Sequence, residues 1–399
     1  MLAVLRNRDF ALLWLGGLVS VAGDWILYAA LPFYVYERTG STIATAGMIA
    51  AELAPAVLLG SVAGVFVDRW DRKRVLVAAN LLQAAAVALL LLVPGDGWLW
   101  VVYAVAVAQS TVAAFAQPAE SALLPTLVPE GRLLTANALN ALNNRLGRLA
   151  GLPIGAMLFG LLGLRGVVVV DCLSFALAAL LVAAIASRRV TRREPAADAG
   201  SAWSAFWAEW RDGLTLVGRE RTIALLFVVF GLMTLGGTML DPLTVAWVRD
   251  VLEEGPEVFA WLLTAHAASG IVATLAVGRL GVVVGPRELI GWSSVAVAAA
   301  LTIRHNVPSV PLALGLTAVA GVTSVASSVG VETLAQRAVP DEYRGRVFGS
   351  LGATLGLLSL LGALTAGAVA EAVGIVPMLN VATALIALSG IVVLRSFRR

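Results

Sequence analysis

Long apolar stretches follow one another along nearly the whole chain and are separated by short polar connections. A helix needs about 20 apolar residues to cross the hydrocarbon core of a bilayer, because each residue advances the helix by about 1.5 Å. The pattern therefore predicts an all-α integral membrane protein with twelve transmembrane helices. The predicted spans are 10–36, 43–67, 74–94, 98–120, 135–162, 166–186, 222–248, 258–284, 288–303, 309–335, 347–370 and 373–394.

Positive charges are distributed unevenly between alternate connections. One set of connections is rich in arginine, as in the run at 72–74 and the cluster at 188–193. Cytoplasmic loops of membrane proteins are enriched in Lys and Arg, so this set predicts a cytoplasmic location for both termini. The opposite set contains only Arg38, Arg165, Arg249 and Arg304.

The longest polar connection, 187–221, separates six predicted helices from six. Within it, apolar residues from Trp203 to Val217 recur every three or four positions, which predicts an amphipathic helix on the cytoplasmic leaflet. A simple tether and a regulatory or partner-binding segment both fit this pattern. We predict an N-terminal half at 1–186, this linker, and a C-terminal half at 222–399.

A weak internal repeat relates the two halves. The sequence Val-Pro-Glu at 128–130, followed by Arg132, returns about 210 residues later as Val-Pro-Asp-Glu at 339–342, followed by Arg344. Many secondary transporters are built from two related halves with the substrate site between them. The repeat therefore favours a pseudo-symmetric transporter.

Composition excludes several other classes of protein. Charged residues make up 13% of the 399 residues, whereas soluble domains contain about 25%. Lys73 is the only lysine, and it lies outside any glycine-rich phosphate loop. One cysteine and two histidines are too few for a disulfide or a histidine-based zinc site. We expect no cofactor, no metal and no nucleic-acid partner, because the basic residues form no groove-reading helix.

The connection after the second span carries the most specific motif, Gly-Val-Phe-Val-Asp-Arg-Trp-Asp-Arg-Lys-Arg at 64–74. This segment resembles the signature of the major facilitator superfamily. Asp71 replaces the usual second glycine, as in the drug:proton antiporter branch that contains macrolide-efflux and enterobactin-export proteins. The segments at 23–24, 30–32, 39–41, 129–137 and 340–348 are also similar to that branch.

The resemblance implies a gate on the cytoplasmic side. Gly64 would allow close helix packing, and Asp68 would face Arg346 in one conformational state. An ordinary positively charged loop is the alternative. The other gate residues that the resemblance implies are Arg69, Arg72 and Lys73, with Glu120 and Glu332 as partners of arginine.

The fifth predicted span contains an antiporter-like motif made of Gly147, Gly151, Pro153 and Gly155. Leu152 separates Gly151 from Pro153, whereas the family usually has Gly and Pro side by side. Small residues let helices approach closely, and proline supplies a bend. Generic helix packing is the alternative interpretation.

Ionisable residues inside the predicted spans are candidates for substrate binding or proton coupling. A charge at the bilayer centre costs at least about 2.5 kcal/mol, so it is retained only where it has a use. Asp24 and Glu52 are the strongest candidates for the proton. The alternatives are a structural cap or partner for Asp24 and a buried partner of an arginine for Glu52. The remaining candidates are Arg145, Arg148, Asp171, Asp241 and His266.

These remaining candidates have structural alternatives. Arg145 and Arg148 are deep enough to need a carboxylate, a polar cavity or backbone carbonyls as partners. Asp171 and Asp241 fall near the outer ends of their spans and would then be interfacial. A lone histidine such as His266 is more often a hydrogen-bonded structural residue.

The sequence thus predicts a multi-pass protein of the cell membrane, monomeric, that exports an amphipathic small molecule by alternating access. A proton gradient would supply the energy, and membrane lipid would surround the protein. A lysophospholipid flippase and a siderophore exporter are the alternatives within transport. A non-transporting receptor or a membrane enzyme is more remote, because no nucleophile with a base and no metal set can be assembled from these residues.

Overall fold

The computed structural model describes residues 2–67, 69–93, 96–186, 220–280, 285–339 and 344–396, and the separate positions 207, 210, 211, 215 and 217. Over these residues the long elements are all helices. We name them α1 to α12 in chain order and treat the helix Leu133–Ala183 as α5 and α6, before and after Gly163. The bounds are α1 Arg8–Thr39, α2 Thr42–Val67, α3 Arg72–Ala88, α4 Leu99–Leu127, α7 Arg221–Asp250, α8 Pro256–Leu280, α9 Pro286–Asn306, α10 Val310–Ala338, α11 Arg344–Val373 and α12 Ile375–Ser396.

The helices have the lengths that a membrane requires. In the described part of the chain, 10 helices are long and apolar enough to cross a bilayer, with the stretch Glu130–Ala183 counted once. The helix α9 is not among them. The prediction of an all-helical protein that crosses the membrane many times is confirmed.

The boundary between α5 and α6 is a single glycine. Gly163 has φ 63° and ψ −169°, a conformation that glycine adopts readily and that a Cβ would strain. It lies between the predicted spans 135–162 and 166–186. The two helices therefore follow each other without a loop.

The start of α3 explains the aspartate that replaces the family glycine. The Asp71 carboxylate accepts a hydrogen bond of 2.9 Å from the backbone N–H of Arg74, and so caps the helix. The apolar residues that open the motif continue α2 as far as Val67. Asp71 therefore has a structural role at this position.

The chain divides into two compact units. The first contains residues 1–34 and 51–205. Within it, α1 lies close to both α5 and α6. Gly23 of α1 lies against Asp171 and Ser174 of α6.

The glycines of the predicted antiporter-like motif form the contact between α5 and α1. An added Cβ at Gly147 would lie 2.6 Å from Val21 Cγ1, and one at Gly151 would lie 2.5 Å from the Ala22 carbonyl oxygen. At Gly155 the added carbon would meet the Ile26 backbone. The motif therefore packs α5 closely on α1, as small residues allow.

The second unit contains residues 35–50 and 206–399. In it, α9 packs against α10 and α12, α7 packs against α11 and α12, and α8 packs against α10. The end of α1 and the start of α2 belong here, and their side chains bond to α7 and α11. Tyr36 donates a hydrogen bond to Asp250, and Thr42 donates one of 2.8 Å to the Gly367 carbonyl.

Most of the predicted linker, 187–221, lies outside the described residues. Within it, the Trp210 Nε1–H donates a hydrogen bond of 3.2 Å to Thr354 Oγ1 in α11. Val217 packs against the core around Ile223 and Leu226. These two apolar side chains of the linker therefore contact the second unit.

The end of α9 contains a buried cation that the sequence analysis assigned to an exposed connection. The Arg304 guanidinium donates a hydrogen bond of 3.1 Å to Thr317 Oγ1, lies 2.7 Å from His305 Nε2 and sits 5.2 Å from the centre of the Trp247 ring. Arg304 is only 5% exposed. A hydroxyl, an imidazole and an aromatic face thus take the place of a carboxylate around this charge.

We predict that Gly155→Ala destabilises the first unit. The added methyl carbon would lie 2.6 Å from the Ile26 Cα, so the backbone of α1 or α5 would have to move. The expected loss is about 1–3 kcal/mol, measured as a lower melting temperature of the purified protein. Gly237→Ala in α7 is the control, because no described atom lies within 4 Å of its added methyl group. Equal melting temperatures for the two variants would contradict the close packing.

We also predict that Thr317→Val destabilises the second unit, because a buried guanidinium N–H of Arg304 would lose its acceptor. The expected loss in the free energy of unfolding is about 1.5–3 kcal/mol. Thr323→Val in the same helix is the matched control, since its hydroxyl bonds only to carbonyls of its own helix. If thermal unfolding of the two variants is the same, Thr317 does not support Arg304.

Candidate functional site

Two adjoining cavities lie inside the first unit, with volumes of 460 and 260 Å³. Both are lined by Asp24 and Tyr28 of α1, Glu52 of α2, Gln83 of α3 and Ala113 of α4. Two of these five shared residues are acidic. The two strongest carboxylate candidates from the sequence therefore lie where the cavities meet.

The larger cavity is lined by side-chain amides from three helices. Each amide offers both a donor and an acceptor, so together they can bind compounds of varied shape. Those on α3 and α4 were not among the candidates predicted from the sequence, because an uncharged amide in an apolar span is a weaker signal than a charge. The residues are Asn80, Gln83, Gln117, Asn140, Asn143 and Asn144.

Hydrogen bonds between α1 and α5 hold part of this wall in place. The Asn143 Nδ2–H donates a hydrogen bond of 2.9 Å to the Trp14 carbonyl. The Trp14 indole N–H donates one of 2.9 Å to the Leu139 carbonyl. Asn80 uses its Nδ2–H in a 2.8 Å bond to the Leu76 carbonyl. The Oδ1 atoms of Asn80 and Asn143 are buried without a hydrogen-bond partner. They are acceptors that a bound donor could satisfy.

Glu120 lies in the wall of the larger cavity, and its role at the gate stays a prediction. Its carboxylate accepts a hydrogen bond from the side chain of Asn140. It was expected to pair with an arginine because it falls near the end of the predicted fourth span. The helix α4 instead continues to Leu127, so Glu120 lies two turns inside it.

The smaller cavity has its own polar group. Gln109 of α4 lines it, and both its Oε1 and its Nε2 are buried without a hydrogen-bond partner. Ser110 lies beside it in the same wall. A complete amide is thus free to bind a ligand at this end of the site.

The antiporter-like motif of α5 lies outside both cavity linings. Gly147, Gly151, Pro153 and Gly155 are absent from the walls of the two cavities. Gly147, Gly151 and Gly155 are buried against α1, which is the packing role that the sequence analysis gave as the alternative. A part for this motif in antiport stays a prediction.

Asp171 is buried between helices, and the interfacial depth suggested by its position in the sequence stays a prediction. It is 0% exposed, in the middle of α6, and lies against Gly23 of α1. The Ser174 hydroxyl is 2.8 Å from its carbonyl and 3.2 Å from its Oδ1, while its Oδ2 has no hydrogen-bond partner. The close approach of α1 through Gly23 could not be read from one helix alone.

The two arginines of α5 are both exposed. The Arg148 guanidinium lies 4.8 Å from the centre of the Trp25 ring, a cation–π contact next to Asp24 on α1. The partners predicted for this charge were a carboxylate, a polar cavity or backbone carbonyls. The aromatic face of Trp25 was not among them. Arg145 lies outside both cavity linings.

Three other candidates belong to the second unit. Asp241 is exposed and lies nine residues before the end of α7. The His266 carbonyl in α8 accepts a 3.0 Å bond from Ser269 Oγ. Glu332 of α10 is exposed. None of these three residues lines the two cavities of the first unit.

The predicted gate falls partly outside the described residues, which exclude Asp68 and the side chain of Arg346. Arg72 donates a 3.0 Å bond to the Ala122 carbonyl, and Lys73 a 2.6 Å bond to the Ile185 carbonyl. Both charges are thus bound to backbone near helix ends.

The structure also describes Gly64 and Arg69, two further residues of the predicted gate. No described atom lies within 4 Å of an added Cβ at Gly64, so the described part of the structure does not show the close packing expected there. Arg69 is exposed. The same described residues contain no group of three His, Cys, Asp or Glu that could hold a metal ion.

Comparison with known proteins identifies the family. Residues 1–398 match the family described as transmembrane secretion effector. Macrolide efflux protein A of Streptococcus pyogenes is 26% identical over 92% of this chain and 90% of its own length, and the multidrug efflux pump Tap of Mycolicibacterium fortuitum is 27% identical over 93% and 91%. The nucleoside transporter NupG shares the fold, with a TM-score of 0.78 and 12% identity over 98% of this chain and 99% of that one. The chain therefore belongs to the transmembrane secretion effector family of major facilitator transporters, which are not enzymes.

Proposed function

We propose that this protein exports amphipathic small molecules from the cell by alternating access and that proton entry drives the export. The relatives named for macrolide and multidrug efflux support the class of substrate. The proposal includes twelve membrane spans, cytoplasmic termini and a location in the cell membrane. It also includes a rocking motion of two six-helix halves about the site.

The observation that carries the proposal is the pair of carboxylates at the junction of the cavities. Asp24 and Glu52 lie among side-chain amides in the cavity walls. The helices that carry them are otherwise mainly apolar, so packing alone does not require these two carboxylates. Ionisable residues at membrane depth mark substrate and proton pathways, because their burial is costly. The same wall offers hydrogen bonds to varied compounds.

The chemistry of coupling follows from the charge of the cavity. Ionised carboxylates attract a compound that is cationic or donates hydrogen bonds, and protonation cancels this attraction. A proton entering from outside would therefore favour release of the compound. Deprotonation toward the cytoplasm would restore the cavity for the next molecule.

We predict that Asp24→Asn and Glu52→Gln uncouple transport, because each amide imitates a permanently protonated carboxyl. In proteoliposomes, pH-gradient-driven accumulation of erythromycin should fall by about tenfold or more. Exchange of labelled for unlabelled erythromycin without a gradient should continue. Glu253→Gln removes an exposed carboxylate from the α7–α8 connection and should leave both activities unchanged.

Several outcomes would contradict the proposal. If the unmodified protein accumulates no more erythromycin with a pH gradient than without one, the proposal of proton coupling is wrong. Full gradient-driven transport by both carboxylate variants would exclude these residues from coupling. Lysophospholipid and a siderophore are tested in the same vesicles, and faster transport of either one than of erythromycin would favour that alternative substrate.

The gate is tested by Asp68→Asn, which we predict slows gradient-driven transport several-fold. Removing this charge alters the balance between conformational states and leaves the cavity intact, so the affinity for erythromycin should stay within about twofold. Asp71→Asn is the control in the same connection, because asparagine also caps helices and keeps that structural role. Equal rates for the two variants would show that Asp68 has no special part in the gate.

A further inference from the structure

Asp171 is a buried carboxyl group that the cavity walls do not include. It is 0% exposed and is held in α6 directly behind the part of α1 that carries Asp24. The close approach at Gly23 places the Asp171 carboxyl against α1 one residue before Asp24. Asp24 lines both cavities, whereas Asp171 lines neither. One member of the pair is thus reachable from the cavity and the other is enclosed.

Gly23 makes this arrangement possible. An added Cβ at residue 23 would occupy the same space as Asp171 Oδ1 and Ser174 Oγ. Any other residue there would push α6 away from α1. The Asp171 carboxyl therefore packs against the α1 backbone one residue before Asp24.

The groups around the pair supply little compensation for negative charge. Ser174 bonds to one oxygen of Asp171, and the other oxygen has no partner. The nearby cation, Arg148, lies over the Trp25 ring. The other titratable groups that face the pair from α1, α2, α4 and α6 are neutral or acidic: Tyr28, Glu52, Glu120 and Cys172.

Two interacting carboxyl groups in such a setting are most stable when they hold one proton between them. Two adjacent negative charges repel, and enclosure in apolar protein removes the water that would weaken the repulsion. With one proton, the pair carries a single charge.

We propose that Asp24 and Asp171 form one proton-binding site, in which Asp24 exchanges the proton with the cavity and Asp171 holds it behind the cavity wall. The assignment of this proton to coupling rests on the proposed function. Transfer breaks an O–H bond at Asp24 and forms one at Asp171, so the charge of the pair is unchanged. A proton on Asp24 opposes the binding of a cationic compound, as the proposed export requires, whereas an ionised Asp24 attracts it.

The test is an infrared pH titration of the carboxyl bands of purified protein, without any transported compound. Difference spectra of Asp24→Asn, Asp171→Asn and the double variant against the unmodified protein assign the two groups. If they share a proton, each single variant should change the proton concentration at which the remaining carboxyl titrates by about tenfold or more. If Asp171 titrates at the same pH in the unmodified protein and in the Asp24→Asn variant, the proposal is overturned.

Further variants separate coupling from damage to the fold. Ser174→Ala should alter the titration of Asp171 without abolishing its link to Asp24. Gly23→Ala should weaken the link by moving α6 from α1, while Gly237→Ala in α7 should not. Bands that respond to added Mn²⁺ and not to pH would show a cation site and overturn the shared proton. Thermal unfolding confirms that each variant is folded before its spectra are used.

The titration and the transport assay fail independently. If gradient-driven erythromycin transport is absent but the two carboxyls titrate together, the proton pair stands and the proposed function is wrong. If transport is proton-driven but the carboxyls titrate independently, the function stands and the pair is wrong.

Discussion

The first unit depends on the close approach of α1 to its neighbours α5 and α6. Membrane helices gain little from the hydrophobic effect when they associate, so small residues that permit close backbone contact are the main source of packing energy. Gly147, Gly151 and Gly155 provide that contact on α5, and Gly23 provides it toward α6. Asp24 follows Gly23 directly. The position of the cavity carboxylate is therefore fixed by backbone packing and not by a flexible side chain.

The same contact explains why the site has a polar wall on one side and an enclosed acid on the other. Asn143 reaches the Trp14 carbonyl only because α1 and α5 are close, and its Oδ1 remains available at the cavity. Asp171 is enclosed only because Gly23 has no side chain. A wider spacing would have put water or lipid between these groups. The close packing of α1 on α5 and α6 therefore also sets the positions of the polar groups Asn143 and Asp171.

The sequence predicted the helices well because the length of an apolar stretch is a property of one segment. Even the break at Gly163 fell between two predicted spans. The direction in which a side chain points depends on a partner helix, which the sequence does not show. Asp171 was placed by counting from the end of its span, and its complete burial against α1 was not predicted. Arg304 was assigned to a connection for the same reason.

Uncharged polar residues were the other source of error. Gln83 and Gln109 belong to no recognised motif, and only the fold brings them to the cavities. A charged residue in a predicted span carries a clear energetic signal, whereas a lone amide costs much less to bury. Asp24 and Glu52 could therefore be found from the sequence, but the amides that line the site with them could not.

The two units stabilise buried ionisable groups in different ways. Arg304 in the second unit has a hydroxyl, an imidazole and the Trp247 ring around its guanidinium, although its Nε is buried without a hydrogen-bond partner. Asp171 has one serine, a second carboxylate and an oxygen without a partner. A buried group kept only for structure should resemble the first case, since leaving a charge uncompensated is strongly destabilising. The surroundings of Asp171 are understandable if this carboxyl binds and releases a proton. A carboxylate with a full set of hydrogen-bond donors would stay ionised and would not take up the proton.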